Sequence, residues 1–289
     1  MKRRLGVNSW VWAAGLDDNS LESVVRTAAS LGFTAIELPV ENLDAWSANR
    51  ARRLLDELEL EPCVVGAMAA DRNLVCASGE QIAATQSYLT GCVDVAVELG
   101  AKVVAGPFYA ATGRTWRMTD VERHDTYAQL VDSLTPVTQY AEAAGVTVAI
   151  EPLNRYETSL INTVDQALEA LAPLLGVGLG LALDSYHLNI EEKSISQAIR
   201  TAGEHVVHVQ VCGNDRGAVG SDHIDWTEFL DALDEIGYSG PLSLESFTGD
   251  NETIATAASV WRPLAVDQDT LARDSHRFLT TLQNERDGQ

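Results

Sequence analysis

Along the chain, short apolar runs rich in β-branched residues alternate with longer stretches whose apolar positions recur every three or four residues. The runs predict eight strands, at 5–10, 35–39, 62–68, 102–106, 147–151, 178–184, 205–211 and 241–246. Several are apolar almost throughout, as strands covered on both faces must be. The longer stretches predict helices near 20–31, 46–59, 80–99, 119–144, 163–174, 190–203, 226–237 and 252–283. Most close just before a glycine such as Gly32, Gly100, Gly145 or Gly237, the residue that most easily takes the left-handed turn ending a helix. Strand followed by helix, eight times over, predicts βα units around a parallel sheet.

Eight such units can close into a barrel or open into a doubly wound sheet. No strand is followed by a glycine-rich phosphate fingerprint, which favours the closed (β/α)8 barrel. At 289 residues, with no Pro/Ser-rich linker or low-complexity segment, residues 1–289 read as one α/β domain. A closed barrel places its chemistry at the carboxyl ends of the strands, where the βα loops gather.

Composition narrows the partners. The formal net charge of −22 would repel phosphate backbones and anionic lipid, so nucleic acid and membrane surfaces are excluded as partners. The start Met1-Lys2-Arg3-Arg4-Leu5 is basic but runs into Gly6-Val7-Asn8-Ser9-Trp10 with no apolar stretch long enough for a signal peptide, which predicts a cytoplasmic protein. The four cysteines at 63, 76, 92 and 212 lack paired spacing and read as small buried apolar residues.

Polar residues that end apolar strands are the candidates for chemistry, because a carboxylate there must be ligated, paired or in the barrel mouth. Strand two ends Ile36-Glu37-Leu38-Pro39, strand five Ala149-Ile150-Glu151, strand six Ala182-Leu183-Asp184, and strand eight Ser243-Leu244-Glu245; strand seven carries His208-Val209-Gln210. Acidic residues abound here, so any one alone reads as readily as a surface ion-pair residue. One oxygen or nitrogen donor on each of strands five to eight points instead to a shared site. Three carboxylates on one rim repel unless a cation neutralises them, and a nearly all-oxygen set suits Mn²⁺ or Mg²⁺, with Co²⁺ able to substitute. Asn154, Arg155, Glu157, His187 and Arg216 follow these positions at short range as second-layer candidates. His124, His205, His223 and His276 lack such company and read as structural. Trp10, Trp12, Trp116 and Phe108 could wall a sugar face, although core packing explains any single aromatic equally well.

These residues carry a resemblance. Glu151-Pro152-Leu153-Asn154-Arg155-Tyr156-Glu157, with Leu160-Ile161-Asn162-Thr163, resembles the strand-five segment of the ketose 3-epimerases, the D-tagatose/D-allulose 3-epimerase group of the xylose-isomerase-like TIM barrels. Leu183-Asp184-Ser185-Tyr186-His187-Leu188-Asn189 is similar to the strand-six motif, and Asn214-Asp215-Arg216-Gly217 with Ile224-Asp225-Trp226 to the strand-seven loop. Leu244-Glu245-Ser246-Phe247 and Val260-Trp261-Arg262 resemble strand eight and the segment beyond it. The resemblance implies a Mn²⁺ ion on Glu151, Asp184, Gln210 and Glu245, with Glu157, His187 and Arg216 holding a small-molecule sugar, in a homodimer or homotetramer. Glu151 and Glu245, on strands five and eight, would be the acid/base pair for C3 epimerisation of a ketose through a metal-stabilised enediolate.

One residue departs from that pattern. Ketose 3-epimerases carry histidine where this chain has Gln210, whereas hydroxypyruvate-isomerase-like members carry glutamine. His208 shares the strand parity of Gln210 and is the other candidate at that place. The departure keeps two alternatives open: an aldose–ketose isomerase, and a metal-dependent lyase or deglycosidase acting on a 3-oxo-sugar or C-glycoside. Outside this chemistry, an apurinic endonuclease would need a basic groove and more histidines, and a sugar-binding protein would not need both Glu151 and Glu245.

Overall fold

The computed structural model describes residues 2–249 and 259–288. Eight parallel strands close into a barrel in chain order: β1 (Leu5–Asn8), β2 (Ala35–Val40), β3 (Glu61–Gly66), β4 (Val103–Gly106), β5 (Thr147–Ile150), β6 (Leu179–Asp184), β7 (Val206–Val211) and β8 (Leu242–Leu244). Closure is direct: Leu5, Gly6 and Val7 of β1 pair with Leu242, Ser243 and Leu244 of β8. The predicted (β/α)8 barrel is therefore the fold. Strand five ends one residue earlier than predicted, leaving Glu151 at the start of its loop, and strand eight is shorter, leaving Glu245 likewise just beyond its end.

Among the described residues the α-helices are α1 (Asp18–Ser30), α2 (Ala48–Leu58), α3 (Gly79–Leu99), α4 (Asp120–Ala143), α5 (Val164–Leu171), α6 (Ser185–Glu191), α7 (Ile195–Ala202), α8 (Trp226–Glu235) and α9 (Gln268–Asp287). Gly32, Gly100, Gly145 and Gly237 all have positive φ, as the helix-stop reading requires. The helix predicted at 190–203 is instead two. Asp184 caps a short helix that starts as soon as β6 ends, and Ser194, accepting from the Gln197 N–H, caps a second. The first part of the helix predicted at 252–283 lies outside the described residues, and α9 begins at Gln268. No helix among the described residues is long and apolar enough to cross a membrane.

Strand period places the site. Residues two apart share a face, so Ala149, Ala182, His208 and Ser243 point into the barrel one layer below Glu151, Asp184, Gln210 and Glu245. Cys63, Ala105, Ala149 and Ala182 form a small buried cluster there, and the Cys63 sulfur lies 3.9 Å from His208 Nδ1. Small side chains on β3 to β6 thus leave room for one imidazole. A bulge sets the parity of β7: Val206 pairs with Leu181 and His208 with Ala182, leaving Val207 as the extra residue. Gly180 accommodates it, since a β-carbon there would lie 2.7 Å from both Val207 γ-carbons.

Candidate active site

The sequence candidates converge on a cavity of about 520 Å³ at the carboxyl ends of the strands, lined by Glu151, Glu157, His187, Arg216 and Glu245. Trp10, Met68 and Phe247 form part of its apolar wall, with Trp10 and Phe247 rings 5.7 Å apart. Of the other aromatics, Phe108 is wholly buried, Trp12 bonds Asp269, and Trp116 packs on Arg114.

Asp184 ends β6 and caps α6, so its Oδ1 accepts the Tyr186 N–H while Oδ2 faces the centre. There Oδ2 accepts from Arg216 Nη1, which also donates to Glu245 Oε2 at 2.7 Å. Arg216 reaches this position from a loop residue with φ of 68°, a backbone conformation uncommon for a side chain of this size. Its guanidinium packs over the Tyr186 ring at 4.1 Å, and the Ser246 hydroxyl holds its carbonyl. One buried cation thereby ties the ends of strands six and eight together.

His187 sits in the first turn of α6. The Asn154 backbone N–H donates to its Nδ1 at 2.9 Å, so the neutral ring carries its proton on Nε2. Burial, and next the Arg216 charge, hold its pKa well below the usual imidazole value, which keeps the ring neutral. Nε2 lies 3.4 Å from Glu151 Oε1 and 3.7 Å from Asp184 Oδ2. Arg216 Nη2 is 3.1 Å from the same nitrogen; both are donors in this tautomer, and Asp184 Oδ2, which faces both side chains, holds them close. By distance, Glu151, Asp184 and His187 form a group that could hold a metal ion. The tautomer argues against His187 in that role, because a ligand needs a lone pair where Nε2 carries a proton.

The carboxyls are strongly perturbed. Burial, then the nearby Glu245 and Asp184, push Glu151 well above the carboxylate range. Glu245 is pushed up to about 8, first by burial and then, against the pull of Arg216, by Asp184 and Glu37. Glu157 is raised by burial and accepts from Asn154 Nδ2 at 2.7 Å. Such groups in a cleft mark functional sites.

Below the rim, Gln210 Nε2 donates to Glu245 Oε1 at 2.8 Å and to Glu37 Oε2 at 3.0 Å, while Gln210 Oε1 is buried without a hydrogen-bond partner among the described residues. His208, the other candidate of the same strand, lies deeper and faces Glu37 Oε1 at 2.6 Å. Burial lowers the pKa of His208, but Cys63 and Glu37 on its two nitrogens outweigh this and hold it well above the usual value. Arg155 leaves the site: it is mostly exposed and paired with Glu191. His223 and His276 bond Asn189 and the Gly32 carbonyl, away from the cavity. Cys76 is exposed, unlike the other three cysteines. Glu37 received no role from the sequence, and its signal was there: it is the sole ionisable residue of a fully buried strand, Ala35–Val40.

A family model described as a xylose isomerase-like TIM barrel matches residues 25–282, and the chain belongs to that family. Within it, the likeness is to sugar 3-epimerases. An L-ribulose 3-epimerase from Mesorhizobium japonicum is 30% identical over 96% of this chain and 93% of its own length. A solved structure of L-ribulose 3-epimerase superposes with a TM-score of 0.90 at 29% identity, covering 99% of this chain and 97% of that one. D-Allulose 3-epimerase from Methylomonas sp., in complex with D-allulose, superposes with a TM-score of 0.89 at 26% identity, covering 97% and 98%.

Proposed function

We propose that this protein is a divalent-metal-dependent ketose 3-epimerase in which Glu151 and Glu245 exchange the C3 proton. The observation that carries the reading is the pair itself: two carboxyls buried at the floor of one cavity, on the ends of strands five and eight, both with raised pKa values. Epimerisation beside a ketone needs a base on one face of the carbon, a proton donor on the other, and stabilisation of the charge gathering on oxygen. A buried carboxyl that keeps its proton is a competent donor, and its ionised partner a competent base. The two glutamates would trade these roles between epimers, leaving an enediolate in between. His187, with its proton on Nε2, would donate to a substrate oxygen; Arg216 would hold the O2/O3 region, and Glu157 would accept from a hydroxyl at the O1 end.

Glu151, Asp184, Gln210 and Glu245 would hold the cation. The donor chemistry fits: three buried carboxyls and one buried amide oxygen without a partner make a hard, oxygen-rich set. Bound there, Mn²⁺, or Mg²⁺ or Co²⁺ in its place, would supply Lewis-acid polarisation of the C2 carbonyl. The proposed setting is cytoplasmic, as a homodimer or homotetramer.

The likeness to L-ribulose and D-allulose 3-epimerases over nearly the full chain supports C3 as the reacting carbon. Gln210 favours a second reading, aldose–ketose isomerisation, which moves the same proton chemistry by one carbon. Incubation of Mn²⁺-loaded protein with a ketohexose in D₂O separates them. Deuterium at C3 of a new epimer is expected; exchange at C1 with appearance of an aldose would favour the second reading, and no exchange in any ketose would sink both.

A further inference from the structure

The amide of Gln210 can face the site in two ways, and only one of them presents an oxygen. A chain of hydrogen bonds running back to the main chain decides between them. The Trp10 backbone N–H donates to Asn8 Oδ1 at 2.9 Å, so the other end of the Asn8 amide must be its NH₂. That NH₂ meets Glu37 Oε2 at 2.7 Å, and an NH₂ can only donate, so Oε2 is an acceptor. The same oxygen receives Gln210 Nε2 at 3.0 Å. With the amide reversed, Gln210 Oε1 would face Glu37 Oε2 lone pair to lone pair inside a fully buried layer. The second acceptor on Nε2, Glu245, belongs to the reacting pair and has other demands on its oxygens. Glu37 has no part in the proposed proton transfer: it is wholly buried, faces Asn8, His208 and Gln210, and does not line the cavity.

We propose that Glu37 is a positioning residue that fixes the side-chain amide of Gln210 with its carbonyl oxygen toward the cation. His208 holds the other Glu37 oxygen, so the carboxylate cannot turn away, and the small residues around Cys63 give that imidazole its space. The device explains why glutamine serves at this position: a histidine would offer a ring nitrogen, whereas an amide offers an oxygen only if its NH₂ is held elsewhere. The inference rests on the proposed metal reading, and it concerns one ligand's orientation rather than the reaction.

Titration calorimetry with Mn²⁺ on the intact protein tests it, with thermal melting as the folding control. The parent is expected to bind. Glu37→Leu, which removes the acceptor, is expected to lose about 10–100-fold in Mn²⁺ affinity, the usual cost of deleting a residue that orients a metal ligand. Adding Gln210→Glu to the Glu37→Leu variant should restore most of that affinity, because a carboxylate has two equivalent oxygens and no wrong end. A variant pair that keeps side-chain size gives a second test should leucine prevent folding. Gln210→Glu alone sets carboxylate against Glu37, and the exchange Glu37→Gln/Gln210→Glu should bind Mn²⁺ more tightly than that single change. Parent-like affinity in folded Glu37→Leu, or no advantage of the exchanged pair over the single change, overturns the role of Glu37 and leaves the metal reading standing. A parent that binds no Mn²⁺ overturns both.

Discussion

The two glutamates are alike in sequence context and in burial, but their surroundings differ. Glu245 has both oxygens occupied, by Gln210 and by Arg216, whereas Glu151 faces the Nε2 proton of His187 at 3.4 Å. Removing either carboxylate should stop protonation on one face of the carbon, so Glu151→Gln and Glu245→Gln should each lower kcat for epimerisation by about 10²–10⁴-fold, the range general acid–base groups contribute. Half-reactions sharpen the test. If each glutamate serves one face, each variant should still wash deuterium into one epimer of the substrate, and the two variants should label opposite epimers. Labelling of the same epimer by both would reject the two-faced assignment. His187→Phe keeps the ring volume but loses both the Nε2 donor and the Nδ1 acceptor; it should reduce kcat/KM, and because it strands the buried Asn154 backbone N–H it should also cost about 1–3 kcal/mol of stability. Unchanged kcat/KM in the folded variant would instead leave His187 a purely structural role.

Element by element, legibility followed the range of the interactions. Strands β2 and β6 could be read within a residue or two because their apolar runs are local, and so could the glycine stops after α1, α3, α4 and α8. Glu151, Asp184 and Glu245 stood out because strand ends are local as well. The bulge in β7 was not legible, since it exists only as a pairing between Val206–His208 and Leu181–Ala182. Nor was the partnership of Glu37 with His208 and Gln210, which are 171 and 173 residues away and meet only when the barrel closes. The division of residues 190–203 came from capping: the Asp184 and Ser194 side chains each start a helix. Gly180 tests how far the bulge matters. Gly180→Ala would drive a β-carbon into Val207, and overpacking of this kind costs about 1–3 kcal/mol. Because Val207 precedes His208 and Gln210, activity should fall further than the loss of folded protein explains. Gly79→Ala is the control: a β-carbon there meets nothing within 4 Å, and the change should stabilise by up to about 1 kcal/mol through the unfolded chain. Equal urea midpoints for the two variants would remove Gly180 from the account of the site.

At the scale of the whole molecule, the barrel is held shut where the first and last segments meet, at the end opposite the site. Arg3, just before β1, is almost fully buried; its Nε donates to the Tyr238 carbonyl at 2.9 Å and its Nη2 to Asp234 Oδ1 at 2.7 Å. Asp234 on α8 also receives Arg286 of α9 at 2.9 Å, and Gln283 of α9 grips the Arg3 main chain. One carboxylate therefore joins the N-terminal segment, α8 and the last helix. Burial alone would raise the pKa of Asp234, but hydrogen bonds from Arg286 and Arg3 outweigh it and hold the group below its ordinary value of 3.8. Asp234→Asn keeps the shape and removes the charge, leaving the buried Arg3 guanidinium short of its counter-ion. Breaking a fully buried pair costs about 3–5 kcal/mol; with the Asp234 side chain 29% exposed to water, about 1–3 kcal/mol is expected. In a domain of this size that lowers the melting temperature by about 2–4 °C per kcal/mol. The sign with pH follows from the depressed value. The unfolded chain takes up the proton first on acidification, so the parent's advantage over Asp234→Asn is complete above about pH 5 and disappears as pH falls through the folded-state pKa. Melting curves of the two proteins should thus converge in acid and separate toward neutrality, and a gap that stays constant into strong acid would mean that shape, not charge, closes the barrel at Asp234.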